Sequence, residues 1–165
     1  MRSLVLIIHN VRSSHNVGSL LRTAEGLGVQ RVYLTGYSPY PMMANDSRLP
    51  HLAQRVDQQI HKTALGAEAM APWRHEDDIS KVINELKSRG FMIVALEQAP
   101  NAKPLPDFSP PAKIALIVGR EVEGLEAEVL QAVDQILEIL MLGSKESFNV
   151  AQAAAMALYH FRFHS

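Results

Sequence analysis

The chain contains no cysteine. Disulfides, thiolate zinc sites, iron–sulfur clusters and cysteine nucleophiles are therefore excluded. No uninterrupted apolar run approaches membrane length. The apolar stretch near the N-terminus follows a single arginine and ends at His9-Asn10 without a small-residue cleavage pattern, so it reads as core and not as a leader. A cytoplasmic location is expected. There is no low-complexity tract and no internal repeat. No G-x-G-x-x-G follows a strand candidate, because Gly26-x-Gly28 stands at a helix end and lacks the third glycine, and no P-loop is present. A net charge of −1 lacks the overall basic footprint of most nucleic-acid binders. The charge is unevenly spread, however. Arg12, Arg22, Arg31, Arg48, Arg55 and Lys62 fall early, and acidic residues gather around Glu76 to Asp78 and Glu121 to Glu128, which permits a basic face.

With 165 residues, 47% of them apolar, the chain suits one domain with a real core, taken as residues 1–165. Ser3 to Val11 is a nearly continuous β-branched and Leu run, as expected of a strand buried on both faces. After a polar loop at residues 12–16, Val17, Leu20, Leu21, Ala24 and Leu27 mark a helix that stops at Gly28. Strands are predicted at 31–36, 91–96, 114–119 and 136–141. Further helices are predicted at 52–61, at 79–89 behind an Asp78 cap, at 124–132, and from Asn149 almost to the C-terminus. Residues 37–50 and 100–113 read as proline-rich loops, and Trp73 as a cover for a core edge. Alternating strands and helices imply an α/β fold with a mostly parallel sheet between helices. A ligand then belongs beyond the carboxyl ends of the strands, where Gly18, Gly119, Glu121, Gly143 and Ser147 fall, just after strand candidates or on the helix entry next to one.

Three segments carry the candidate chemistry. The first is Asn10-Val11-Arg12 with Asn16-Val17-Gly18 and Arg22. The second is Ile117-Val118-Gly119-Arg120-Glu121-x-x-Gly124-Leu125. The third is Met141-x-Gly143-x-x-x-Ser147-Phe148-Asn149-Val150-Ala151. Taken singly, each has a structural reading. Asn16, Ser147 and Asn149 are good helix caps, Arg22 suits a solvated helix face, and Glu121 suits the N-terminus of the following helix. Gly119 allows close backbone approach.

Taken together and in this order, the three segments resemble the signatures of the SpoU/TrmH branch of the SPOUT RNA methyltransferases. The resemblance covers essentially the whole chain. It implies a C-terminal trefoil knot, an exception to the usual absence of knots. It implies S-adenosylmethionine as cofactor, held near Leu96, Glu97, Val118, Gly119, Glu121, Ile139, Leu140, Met141, Ser147, Phe148 and Asn149. The activity implied is methyl transfer to a ribose 2′-hydroxyl of tRNA or ribosomal RNA, the alternative being an inactive module that binds cofactor and RNA. The absence of cysteine agrees, since it rules out pyrimidine C5 methylation through a cysteine adduct. The resemblance places Arg22, Asn16, Ser147, Asn149 and Glu121 in the catalytic site, and RNA contact at Arg12, Arg22 and Arg48. No metal is implied. With no additional RNA-binding domain in the sequence, a compact tRNA is preferred as partner. The family's homodimer would use the apolar side of the last helix, Met156, Tyr159 and Phe163, whose other reading is core packing. One departure is Leu140, where the family usually has proline. Arginine stays protonated and is a poor base, so Arg22 would orient the hydroxyl and phosphate while the proton passes to water or phosphate, and His15, whose other reading is an exposed loop histidine, ranks second as acceptor.

Overall fold

Strand β1, Ser3–His9, has both faces buried because its alternate residues serve two different cores. Leu4, Leu6 and Ile8 point into one, and Val5 and Ile7 into the other. The computed structural model describes residues 1–164. In it β1 lies inside a seven-stranded sheet of order β3-β2-β1-β6-β4-β7-β5, next to the central β6, and every strand pairing is parallel. The other strands are β2 Arg31–Thr35, β3 Trp73–Glu76, β4 Met92–Leu96, β5 Lys103–Pro104, β6 Lys113–Val118 and β7 Gln135–Glu138. The first core is closed by helices α1 Ser14–Gly26, α2 Pro50–Ala64 and α6 Val150–Phe163. Short helix α3, Ala67–Met70, also packs there. The second core lies under α4 Ile79–Ser88 and α5 Ala127–Ala132. No helix among the described residues is long and apolar enough to cross a membrane.

The sheet has two more strands than predicted. β3 is a four-residue edge strand with mixed polarity, Trp-Arg-His-Glu, so it lacks an apolar run. Trp73 packs against the first core as expected, and its Nε1 donates to the Glu68 carbonyl at 2.9 Å. β5 lies inside the expected loop and pairs for two residues with β7. β7 stops at Glu138, short of the predicted Met141. Its partner β4 ends at Leu96, which pairs with Leu137, and past that point there is little ladder to join. Residues 139–149 therefore leave the sheet as a loop.

Helix boundaries also differ. α1 begins at Ser14 because Ser13, and not Asn16, is the cap: Asn16 N donates to Ser13 Oγ at 3.1 Å. α2 starts at Pro50, since proline's missing N–H and fixed φ suit a first helical position. α5 starts at Ala127 and not at Gly124. Close approach of α1 to α2 explains Gly18, where a Cβ would collide with Thr63 Oγ1 and the Ile60 carbonyl. On α6, Ala154, Ala157, Leu158 and Phe161 fill the core. Met156, Tyr159 and Phe163 are exposed, by 37%, 60% and 60%, so core packing is not their role.

Candidate functional site

All strands run the same way, so their carboxyl ends share one edge, where crevices open in such sheets. A cavity of about 430 Å³ lies there, within the size range of small-molecule sites. Leu96 and Glu97 line it from the end of β4 and its exit, Val118, Gly119 and Glu121 from the end of β6 and its exit, and Ile139, Ser147 and Phe148 from the loop after β7. Of the residues predicted for a cofactor, Leu140, Met141 and Asn149 do not line it, and Leu140 is 54% exposed.

The cavity walls are tied together by backbone-directed hydrogen bonds. Glu97 Oε2 accepts from Leu125 N and Oε1 from Gln98 N, each at 3.0 Å. The side chain of Gln98, which the motifs did not mark, donates to the Glu146 carbonyl at 2.6 Å and joins the β4 exit to the last loop. Gly119 has a packing reason for lacking a side chain: a Cβ would meet Leu125 Cδ2 at 2.5 Å. The Ser147 hydroxyl has no protein partner among the described residues.

The three sequence segments meet beside this cavity. Asn16 Nδ2 donates to Glu121 Oε1 at 2.7 Å, and Asn149 Nδ2 donates to Asn16 Oδ1 at 3.1 Å. Asn149 Oδ1 meanwhile caps α6, accepting from Ala151 N at 2.9 Å. Asn149 is thus both a cap and a link. Glu121 does not serve the next helix: α5 starts six positions later, with Glu128 in its first turn. Asn16 alone bonds the exposed Glu121 carboxylate, Asn149 bonds Asn16, and the relay holds α1, the β6 exit and the α6 start in one register.

The predicted arginines part company here. Arg22 is exposed on α1, has no ion pair or hydrogen bond among the described residues, and does not line the cavity. It stands about 9 Å along the helix from Asn16, at 1.5 Å per residue. His15 shares its helical face by spacing, seven residues back. Arg12 is exposed in the turn before α1. Arg48 braces its own loop. Its guanidinium pairs with Asp46 at 2.6 and 2.8 Å, donates to the Tyr40 and Pro41 carbonyls, and covers the Tyr40 ring at 3.7 Å. The Asp46 carboxyl is held far below the usual range by these hydrogen bonds, despite some desolvation.

A second polar cluster lies behind the rim. His9, at the end of β1, is buried, with Nδ1 2.9 Å from Thr35 Oγ1 and Nε2 3.1 Å from Glu126 Oε2. Burial lowers the His9 pKa even against the attraction of Glu126. The Asn10 amide Nδ2 lies 3.2 Å from the same His9 Nε2, so the ring sits between an amide and a carboxylate. Glu126 also accepts from Asn10 Nδ2 at 2.8 Å and faces Arg120 Nη2 at 3.7 Å. Burial would raise the Glu126 pKa, but its backbone and Asn10 hydrogen bonds, with the nearby cations, leave it lowered. His9 was not singled out in the sequence because it sits inside an apolar run. Among the described residues no group of acidic or histidine side chains could hold a metal ion.

Residues 3–159 match the model of the SpoU rRNA Methylase family. The chain is 28% identical over 157 residues to a Staphylococcus haemolyticus protein assigned to the TrmH family of tRNA/rRNA methyltransferases, covering 95% of this chain and 57% of that one. Its fold superposes, with a TM-score of 0.80 and 20% identity, on an AdoMet-bound rRNA methyltransferase from Sinorhizobium meliloti, over 97% of this chain and 56% of that one. It also resembles a solved RNA 2′-O ribose methyltransferase, with a TM-score of 0.77 and 25% identity, over 96% and 55% of the two chains. The chain thus spans little more than half the length of these proteins.

Proposed function

The chain belongs to the SpoU rRNA methylase family, and we propose that it methylates a ribose 2′-hydroxyl of RNA with S-adenosylmethionine, a tRNA being preferred to ribosomal RNA as substrate. The observation that carries this reading is the asparagine link. It draws together all three family-like segments, 133 residues apart at the extremes, beside a cavity of suitable size.

The cavity fits the cofactor in its chemistry as well as its volume. Leu96, Val118, Ile139 and Phe148 supply an apolar surface for a nucleoside, and the Ser147 hydroxyl a polar group for its ribose or the amino-acid end. S-adenosylmethionine supplies a methyl group already activated on a sulfonium. The protein's task is then to align a hydroxyl with it and to ease the loss of one proton. Asn16, Glu121 and Asn149 frame the rim where the target nucleotide enters. Arg22 orients the hydroxyl and adjoining phosphate and stabilises developing negative charge on the oxygen. The proton passes to water or phosphate, with His15 second in rank.

Arg22 lies away from its own cavity, which supports a homodimer in which each site takes Arg22 from the other copy. The exposed Met156, Tyr159 and Phe163 on α6 are the proposed contact surface. We propose further that residues 1–165 form one catalytic domain and that its C-terminal segment is knotted. After β7 the loop carrying Glu146 to Phe148 lines the cavity together with the β4 and β6 exits, and α6 then packs on α1, which supports this reading. Arg12 is the proposed phosphate contact beside the site.

The test is incubation with labelled S-adenosylmethionine and RNA lacking ribose methylation, followed by a ribonuclease that needs a free 2′-hydroxyl. Label in resistant dinucleotides is expected, in the tRNA size class. Label confined to mononucleotides would mean base methylation. No transfer despite cofactor binding would leave a binding module.

A further inference from the structure

We propose that Tyr37, with Arg12 beside it, is a stacking platform for an unpaired nucleobase flanking the reacting ribose. This inference rests on the RNA-methyltransferase reading above. Tyr37 follows β2 on the carboxyl edge of the sheet and is 49% exposed. β2 is two strand spacings from β6, whose exit lines the cavity, or roughly 10 Å. A nucleotide chain whose ribose enters that cavity passes within reach of the ring.

The ring is held by a stiff base. Tyr37 N donates to Asn10 Oδ1 at 3.0 Å. Gly36 is in the left-handed region, at φ +62°, and a Cβ there would collide with the Asn10 side chain. Asn10 itself has φ 54° and donates from Nδ2 to Glu126 Oε1. Glycine and asparagine are the residues that adopt positive φ most readily, so the sequence suits this tight turn, and the contacts between the two fix it. The result is an aromatic side chain whose backbone is fixed before any ligand arrives.

The neighbours point to nucleic acid. The Arg12 guanidinium lies 5.7 Å from the Tyr37 ring centroid, where it can add to a stacked base and reach a phosphate. Tyr40, nearby, is already engaged: Arg48 covers its ring at 3.7 Å and His75 stacks on it at 4.0 Å. The Tyr37 hydroxyl has no partner among the described residues. A single ring flanked by a cation is small for a protein interface but matches the way sequence-tolerant sites hold one base.

The probe is a transcribed pool of unmodified tRNA and ribosomal RNA carrying 4-thiouridine in place of uridine. Tyr37→Ala should weaken RNA binding at least about fivefold, and Tyr37→Phe should restore it. S-adenosylmethionine affinity and melting temperature should stay at wild-type values in both. Photo-crosslinking of the wild-type protein should place an adduct on Tyr37. If Tyr37→Ala binds as the wild type does, or the adducts lie elsewhere, the platform is overturned while methyl transfer stands. If the wild type binds RNA and crosslinks at Tyr37 without transferring methyl, the platform survives and the enzyme reading fails. If the wild type binds no RNA, both fall.

Discussion

Asn149 Nδ2 donates to Asn16 Oδ1 at 3.1 Å, and the same Asn16 donates to Glu121 Oε1 at 2.7 Å. One amide thus joins the first helix, the β6 exit and the last helix. Removing it should cost little stability, because the group is at an exposed rim where a net hydrogen bond contributes about 1 kcal/mol. Its effect on the site should be larger. Asn16→Ala should retain a near wild-type melting temperature and lose at least about tenfold in methyl transfer, since misplacement near the reacting groups is amplified in rate. Unchanged transfer would remove Asn16 from the site.

Arg22→Ala should leave S-adenosylmethionine affinity unchanged and abolish transfer. Mixed with Asn149→Ala under conditions that exchange subunits, it should recover part of the activity if Arg22 acts on the other copy's cavity. In such a heterodimer one site holds both intact residues. No recovery in confirmed heterodimers would place Arg22 with its own chain.

Gly119→Ala tests the packing beneath the cavity. The added methyl meets Leu125 Cδ2, and such overpacking costs about 1–3 kcal/mol. A lower melting temperature and weaker cofactor binding are expected together. Leu125→Ala in the same chain should relieve part of the clash. A melting temperature equal to wild type would show that Leu125 yields freely.

The His9 cluster predicts a pH dependence. The folded state keeps the imidazole neutral below its ordinary pKa of about 6.5, whereas the unfolded chain protonates it there. The unfolded state then binds more protons, so stability falls as pH drops from about 6.5 until His9 itself protonates in the folded protein. Glu126 contributes in a lower window, because its depressed pKa adds stability above the ordinary carboxylate range and loses it below. Between pH 7.5 and 5.5, His9→Gln should lose less melting temperature than wild type. Parallel curves would mean that another group titrates.

Arg48 offers a contrast with Arg12. Arg48→Ala should lower stability through the loop it braces and leave the salt dependence of RNA binding unchanged. Arg12→Ala should reduce that salt slope by about one phosphate contact. A reduced slope for Arg48→Ala would return it to the RNA surface.

Much of this was legible in the chain. β1 and β6 are dense apolar runs of the length and β-branched content that suit a strand covered on both faces. α4 was readable from its Asp78 cap, whose side chain accepts from Ser80 N at 2.9 Å. β3 was not, because Trp73 to Glu76 carries no apolar period and forms a strand through pairing with β2. The end of β7 was misread for the opposite reason. Ile139, Leu140 and Met141 look like strand, but pairing and not hydrophobicity decides where a ladder stops.

The same division holds at the site. Residue type and order determined, without coordinates, the α/β class and the family to which the chain belongs, since buried parallel strands and motif glycines and asparagines leave local marks. Only the tertiary structure decided that Asn16 would bridge Glu121 and Asn149, that Gly119 would yield to Leu125, that Arg48 would brace a loop, and that Tyr37 would stand exposed beside Arg12. Those are contacts between residues far apart in the chain. Side-chain partners at that range are chosen by packing and by the need to satisfy polar groups, and neither is written in local sequence.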